Sequence, residues 1–196
     1  ILKYPAANLA TGGAATVALA QSSLTNSETW YITSARTFLG PNSLAFDSTG
    51  NIWISDQSRE RVLKFDSSNL KTGGTATVVL GQTDFTTDGK GTTATTLAET
   101  AGIAFDSSGN LWVVDYGNFR ILKYPAANLA TGGAATVALG QSDLTSKTTG
   151  GGATTLAYPN ELTFDSSGNL WVVDTNNHRI LKYPAANLAT GGAATV

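Results

Sequence analysis

The stretch ILKYPAANLATGGAATVAL fills residues 1–19 and returns letter for letter at residues 121–139; its opening, as far as Val196, returns once more from Ile180. A diverged copy, VLKFDSSNLKTGGTATVVL, begins at Val62. Starts at Ile1, Val62, Ile121 and Ile180 lie 61, 59 and 59 residues apart, so one supersecondary unit of about 60 residues is repeated along the chain. A second block keeps the same register: LAFDSTGNIWISD from Leu44, IAFDSSGNLWVVD from Ile103 and LTFDSSGNLWVVD from Leu162.

Each unit reads as four strands. In the last copy these begin with LTFD at 162–165 and NLWVVD at 169–174, joined by a turn in which Gly168 supplies the positive φ of a tight hairpin. RILKY at 179–183 follows the polar connection TNNH, and the ATVALGQ type of strand, complete at 135–141, is the fourth. Pro and Gly-Gly bracket the PAANLATGG connector, which predicts one helical turn that stops at once. Leu170 and Val172 alternate with Trp171 and Val173, so both faces of the sheet are apolar and both need cover. Repeated sheets of this kind are satisfied by stacking face to face about an axis. The expected fold is therefore all-β: a β-propeller of four-stranded antiparallel blades, about 3.5 per chain. We place a half blade at 1–21, then blades at 22–82, 83–141 and 142–196.

Composition narrows the function classes. Of 196 residues 41% are hydrophobic and 13% charged, enough apolar material for a folded core. The net charge is −2 with no basic run, which argues against a nucleic-acid partner, and no apolar stretch reaches the ~18 residues of membrane insertion. Cysteine is absent, so disulfides, thiolate chemistry and Cys-based metal sites are excluded. The single histidine, His178, cannot build a multi-histidine zinc site and reads as a turn residue. The DSSGN turns lack the alternating oxygen ligands of a calcium loop, and the Thr- and Gly-rich loops lack the Gly-Lys-Ser/Thr ending of a phosphate loop. No cofactor is expected. The low charge and the abundance of Gly, Thr, Ser and Asn lead us to expect an extracellular or cell-surface protein, and Ile1 reads as a cut start, of a mature product, a trimmed chain or a piece of something longer.

FDSSGNLWVVDTNNHRILKYP, followed by the ATVALGQSDLT type of segment, resembles the NHL repeat, whose blades run from an apolar strand through D-x-x-G-N to V-x-D-x-x-N-x-R-I. The likeness extends along essentially the whole chain. The Asn-His pair of that motif stands at Asn177-His178, becomes Asn118-Phe119 in the middle unit and is replaced by Arg59-Glu60 in the first. Some propellers of this kind are lyases or lactonases with a metal at the axis. What the resemblance implies here is that Glu99, Glu161, Asn42 and Asn160, at the entries to the first strands, are the candidates for such a site.

Asp56 with Arg61, Asp115 with Arg120, and Asp174 with Arg179 share one spacing and are expected to form structural ion pairs, because a catalytic site is not needed in every unit. The loop at 22–43 differs most between units, and Trp30, Tyr31, Arg36 and Phe38 in it are candidates for recognition of a protein or glycan ligand, against a plain core-plugging role. Three and a half units are too few for the usual ring, and baring roughly 500 Å² of apolar sheet corresponds to about 12 kcal/mol per end. The chain is therefore expected to associate with itself or to continue a longer array. Ile1, Leu2, Tyr4, Val17 and Leu19 at one end and Ile180, Leu181, Tyr183 and Val196 at the other lie on duplicate strands that can compete for one slot, and are the candidates for self-association in a closed dimer or a head-to-tail filament. On these grounds the leading expectation is a non-enzymatic scaffold or recognition segment, with an axial-metal lyase or lactonase as the alternative.

Overall fold

Residues 1–25 and 31–195 are described by a computed structural model, which contains no α-helix among them. The β-branched and aromatic run Leu111–Asp115 forms a strand, as do its counterparts Ile52–Asp56 and Leu170–Asp174. The turn before each is closed by its own aspartate. Asp106 Oδ1 accepts the N–H groups of Ser108 and Asn110 at 2.9 and 3.0 Å, while Gly109 sits at φ +78°. Its Oδ2 receives the indole N–H of Trp112 at 2.9 Å, and Asp47–Trp53 and Asp165–Trp171 repeat that bond at 3.1 and 3.0 Å. The turn thus fixes the rotamer of the largest side chain in the strand that follows. The PAAN connectors make single 3-10 turns at Ala6–Asn8, Ala126–Asn128 and Ala185–Asn187.

Among the described residues four antiparallel sheets result. A ribbon pairs β1 (Leu2–Lys3) with β2 (Val17–Ala18). The first full sheet orders β3 (Pro41–Phe46), β4 (Ile52–Asp56), β5 (Arg61–Phe65) and β6 (Val78–Leu80). The second repeats it with β7 (Thr100–Phe105), β8 (Leu111–Asp115), β9 (Arg120–Tyr124) and β10 (Val137–Leu139). The third holds β11 (Pro159–Phe164), β12 (Leu170–Asp174) and β13 (Arg179–Tyr183), three strands among the described residues where four were expected. Thr195 N–H bonds Lys182 O at 2.9 Å, as Thr136 bonds Lys123, and the position equivalent to Val137, where β10 begins, is Val196, outside the described residues. Each first strand shifts register near its entry, between Pro41 and Leu44, Thr100 and Ile103, and Pro159 and Glu161. Repetition in all three marks the bulge as a built feature.

β3, β7 and β11 lie side by side, so the sheets converge on their first strands. At Gly102 the backbones of β7 and β11 approach closely: a Cβ there would lie 2.8 Å from Glu161 Cα and 3.0 Å from Asn160 O. The apolar faces predicted by the alternation are covered where sheets meet. Trp53, Val62 and Leu80 of the first sheet pack on Ile103, Val113 and Tyr124 of the second. Trp112, Ile121 and Leu139 pack in the same way on the third. Among the described residues the row of sheets does not close on itself.

Tyr124 and Tyr183 bury hydroxyls that no described group meets, and burial pushes both phenols above their usual range. Phe65 holds the same place in the first sheet without the oxygen. Tyr124→Phe is accordingly expected to raise stability by about 1 kcal/mol in urea unfolding, since a buried polar group without a partner costs about that or more; a loss of the same size would mean the hydroxyl is bonded.

Candidate active site

All three strand-entry loops are held by one device. Asp115, fully buried, pairs with Arg120 Nε at 2.6 Å, and its other oxygen accepts Ala98 N–H at 2.7 Å. Arg120 carries the tie onward to the carbonyls of Thr93 and Thr96 at 2.9 and 3.3 Å. Asp56–Arg61 (3.1 Å) and Asp174–Arg179 (2.7 Å) do the same for their loops. These six residues hold the long loops against the sheet ends, and their charges are spent within the protein.

The side chains that these loops present are not the same at each joint. After β4, β8 and β12 a 3-10 turn ends on a left-handed residue, Glu60, Phe119 or His178, with φ of 53°, 56° and 53°. Before β7 and β11 a second left-handed residue, Glu99 or Tyr158, faces it from the next sheet. At the second joint the pair is aromatic: Phe119 and Tyr158 rings lie 4.7 Å apart, with Tyr116 5.0 Å from the latter. At the first joint the same backbone carries two carboxylates. Glu99 N–H donates to the Glu60 carboxylate, and Lys90 Nζ stands 3.9 Å from Glu60 Oε1 and 2.5 Å from Glu99 Oε1. The Glu60 side chain is only 5% exposed, in an open cleft that Gln57, Ser58, Lys90 and Glu99 also line.

Burial pushes the Glu60 carboxyl above the ordinary glutamate range, and the negative charges of Glu99 and Asp115 add to it against the opposing pull of Glu99 N–H and Lys90. Lys90 is held above its ordinary value, chiefly by its hydrogen bond to Glu99. A carboxyl poised toward neutrality beside a fixed ammonium can exchange a proton and stabilise a developing negative charge in one place.

The axial candidates do not converge. Asn42 Nδ2 is turned to Gln57 Oε1 at 3.2 Å, Glu161 Oε1 accepts Leu162 N–H from its own strand at 3.0 Å, and Glu99 is tied to Lys90. Asn160 stands exposed on β11. Among the described residues no three His, Cys, Asp or Glu gather as metal donors. Of the recognition loop, Tyr31 and Arg36 are exposed, Phe38 packs on Phe65 with ring centroids 5.8 Å apart, and Trp30 lies outside the described residues. Glu60 is absent from the sequence-based candidates, where it registers only as a departure from the Asn-His pair. The signal was a coupled switch: Glu60 with Glu99 at one joint, Phe119 with Tyr158 at the next.

With strand order, turn chemistry and Asp–Arg spacing in place, the NHL repeat family matches residues 100–124 and 156–183. The chain contains NHL repeats. No curated protein sequence matches it at a significant level. Solved structures do. A gluconolactonase from Xanthomonas campestris is 19% identical over 84% of this chain and 48% of its own, with a TM-score of 0.53. A catalytically inactive variant of virginiamycin B lyase from Staphylococcus aureus, solved with quinupristin, is 16% identical over 88% and 42%, with a TM-score of 0.50. A protein of unknown function from Bacteroides thetaiotaomicron is 19% identical over 70% and 33%, with a TM-score of 0.54. The chain spans less than half the length of each.

These similarities correct the expectation of a non-enzymatic scaffold or recognition segment. That reading rested on the absence of a motif for catalysis, but enzymes occur among the solved proteins of similar fold. The physical reason is that the strands common to all units carry no chemistry. What can differ is a few loop side chains at the sheet entries, and no linear pattern announces them.

Proposed function

We propose that the chain is part of a propeller enzyme that cleaves an ester bond, of the lactonase or lyase kind, with its chemistry at the strand-entry face of the first joint. In this reading each sheet is a blade, with units at 22–82, 83–141 and 142–196 and a half unit at 1–21. The observation that carries the proposal is Glu60: a buried carboxyl with a raised pKa, beside a lysine, at a position where the next unit has only aromatic rings.

Lactone hydrolysis and eliminative ester cleavage ask for the same two groups. In the first, Glu60 takes a proton from water as the water oxygen bonds to the carbonyl carbon; the ring C–O bond then breaks and the proton passes to the departing oxygen. In the second, Glu60 takes the proton from the carbon next to the one that bears the ester oxygen. The new C=C bond forms as the C–O bond breaks and the carboxylate departs. In both, negative charge builds on ester oxygens, and the Lys90 ammonium, held by Glu99, is placed to stabilise it. Gluconolactone and quinupristin are the two probes. Glu60→Gln is expected to lower kcat by roughly 100-fold or more on whichever is turned over, with the fold intact by circular dichroism. Absence of turnover of either probe by the unaltered chain, or full activity in Glu60→Gln, would overturn the reading.

The pH dependence has a defined sign. Folding raises the Glu60 pKa, so the folded state holds that proton to higher pH than the unfolded chain does. Stability from this group is therefore lost as pH rises from the unfolded carboxyl range through the folded pKa, while the base form needed for catalysis appears over the same interval. Thermal unfolding from pH 4 to 8 is expected to show Glu60→Gln gaining on the unaltered protein as pH rises; a catalytic carboxyl commonly carries such a stability cost. A deficit that widens with pH would show that ionised Glu60 is a structural anchor.

A further inference from the structure

The cleft that holds Glu60 does not end at Glu99. A second cleft of ≈ 290 Å³ adjoins it, since Lys90 and Glu99 line both, and its other walls include Gly117, Asn118 and Lys147. Gly117 lies in the 3-10 turn Tyr116–Asn118, in the place that Ser58 and Asn176 hold in the other units. Its N–H bonds Ala98 O at 2.9 Å, and it adds no side chain to fill the space between turn and loop.

Lys147 reaches this cleft from the loop of the following unit, and the matching residue one joint earlier is Asp88. There Thr33 Oγ1 donates to Asp88 Oδ2 at 2.7 Å across 55 residues of chain. Thr92 and Lys147 keep the same separation, but an ammonium has no lone pair to accept such a bond. Thr92 Oγ1 donates instead to Asn118 Oδ1 at 2.8 Å, and Asn118 Nδ2 is tied to Gly91 O and Asp115 Oδ2. Asp143, the acidic residue nearest in the chain, accepts from Thr145 and Ser146 of its own loop. Glu99 is held by Lys90 at 2.5 Å. Among the described residues no carboxylate bridges to Lys147, which stands exposed at the cleft.

We infer that Lys147 is a specificity residue of this site, selecting esters or lactones that carry a carboxylate away from the bond to be cleaved. Lys90 is spent on Glu99 and Glu60, so Lys147 is the cation of the cleft left to meet an incoming charge. A single ammonium suits a single negative charge, and no arginine lines the cleft to grip a phosphate at two oxygens. The inference rests on the ester-cleavage reading for the reaction, and on the cleft alone for the charge.

Isothermal titration calorimetry tests it with glucarate, gluconate and glucitol, six-carbon chains that carry two, one and no carboxylates. Glucarate is expected to bind about fivefold more tightly than gluconate, as befits an exposed ion pair, and glucitol more weakly than either. Lys147→Gln should abolish the preference for glucarate, and Lys147→Glu should reverse it. Lys71→Gln removes the same charge from an exposed position that lines neither cleft and should leave the preference intact. Circular dichroism confirms that the variants are folded. With glucarolactone as substrate, Lys147→Gln should raise KM about fivefold at unchanged kcat, and leave KM for gluconolactone unchanged. Equal affinity for glucarate and gluconate overturns the inference, as does a preference that survives in Lys147→Gln or is lost in Lys71→Gln. The binding measurements need no turnover, so a chain that binds glucarate through Lys147 but cleaves neither lactone would sink the ester-cleavage reading and leave the carboxylate site standing.

Discussion

Arg120→Leu is expected to lower the unfolding free energy by about 3–5 kcal/mol, a large fraction of what a domain of this size possesses. Arg120 and Asp115 are both fully buried, and the guanidinium also bonds the carbonyls of Thr93, Thr96 and Leu144. Removing it leaves the Asp115 charge in the interior with the entry loop untied. The double variant Asp115→Leu/Arg120→Leu should recover part of the loss, because no charge is then stranded. Arg179→Leu provides the contrast: the same pair at 2.7 Å, but with an arginine side chain 27% exposed, so water can reach what remains. Its cost should be smaller by at least a factor of two. Urea unfolding of the four proteins measures this, and equal costs for Arg120→Leu and Arg179→Leu would show that burial does not set the energy of the pair.

Trp112→Ala should cost about 3–5 kcal/mol. Trp112 is fully buried between two sheets, its indole N–H is bonded to Asp106, its ring meets Phe164, and Lys123 Nζ lies 5.5 Å from the ring centroid. Trp171 has the same local motif, an aspartate bond at 3.0 Å and Lys182 at 5.6 Å, but no sheet described beyond it. In dilute protein, Trp171→Ala should cost less than half as much. The difference isolates the contribution of the neighbouring sheet, since the turn and strand are the same in both.

Much of the fold was legible in the repeats. DSSGN followed by LWVVD encodes a turn, a strand and a locked tryptophan within ten residues, and the five-residue Asp–Arg spacing encodes a pair across one connection. Such features need only neighbours in the chain. The site was less legible. Glu99 was a candidate through its place before a first strand, but its partners Glu60 and Lys90 come from a different turn and a different stretch of loop. Asn42 and Glu161 had the right positions, but hydrogen bonds to Gln57 and Leu162 turn their polar atoms elsewhere.

The sequence alone determined that this protein is an all-β array of sheets whose two sides both need cover, because alternation and turn chemistry act over a few residues and recur every 60 or so. Only the tertiary structure decided which sides are covered and what the loops bring together. Burial and charge at a joint depend on two sheets meeting: Glu60 became a buried carboxyl because the next sheet lies against it, and Phe46 and Ile180 stayed in solvent because no described sheet does.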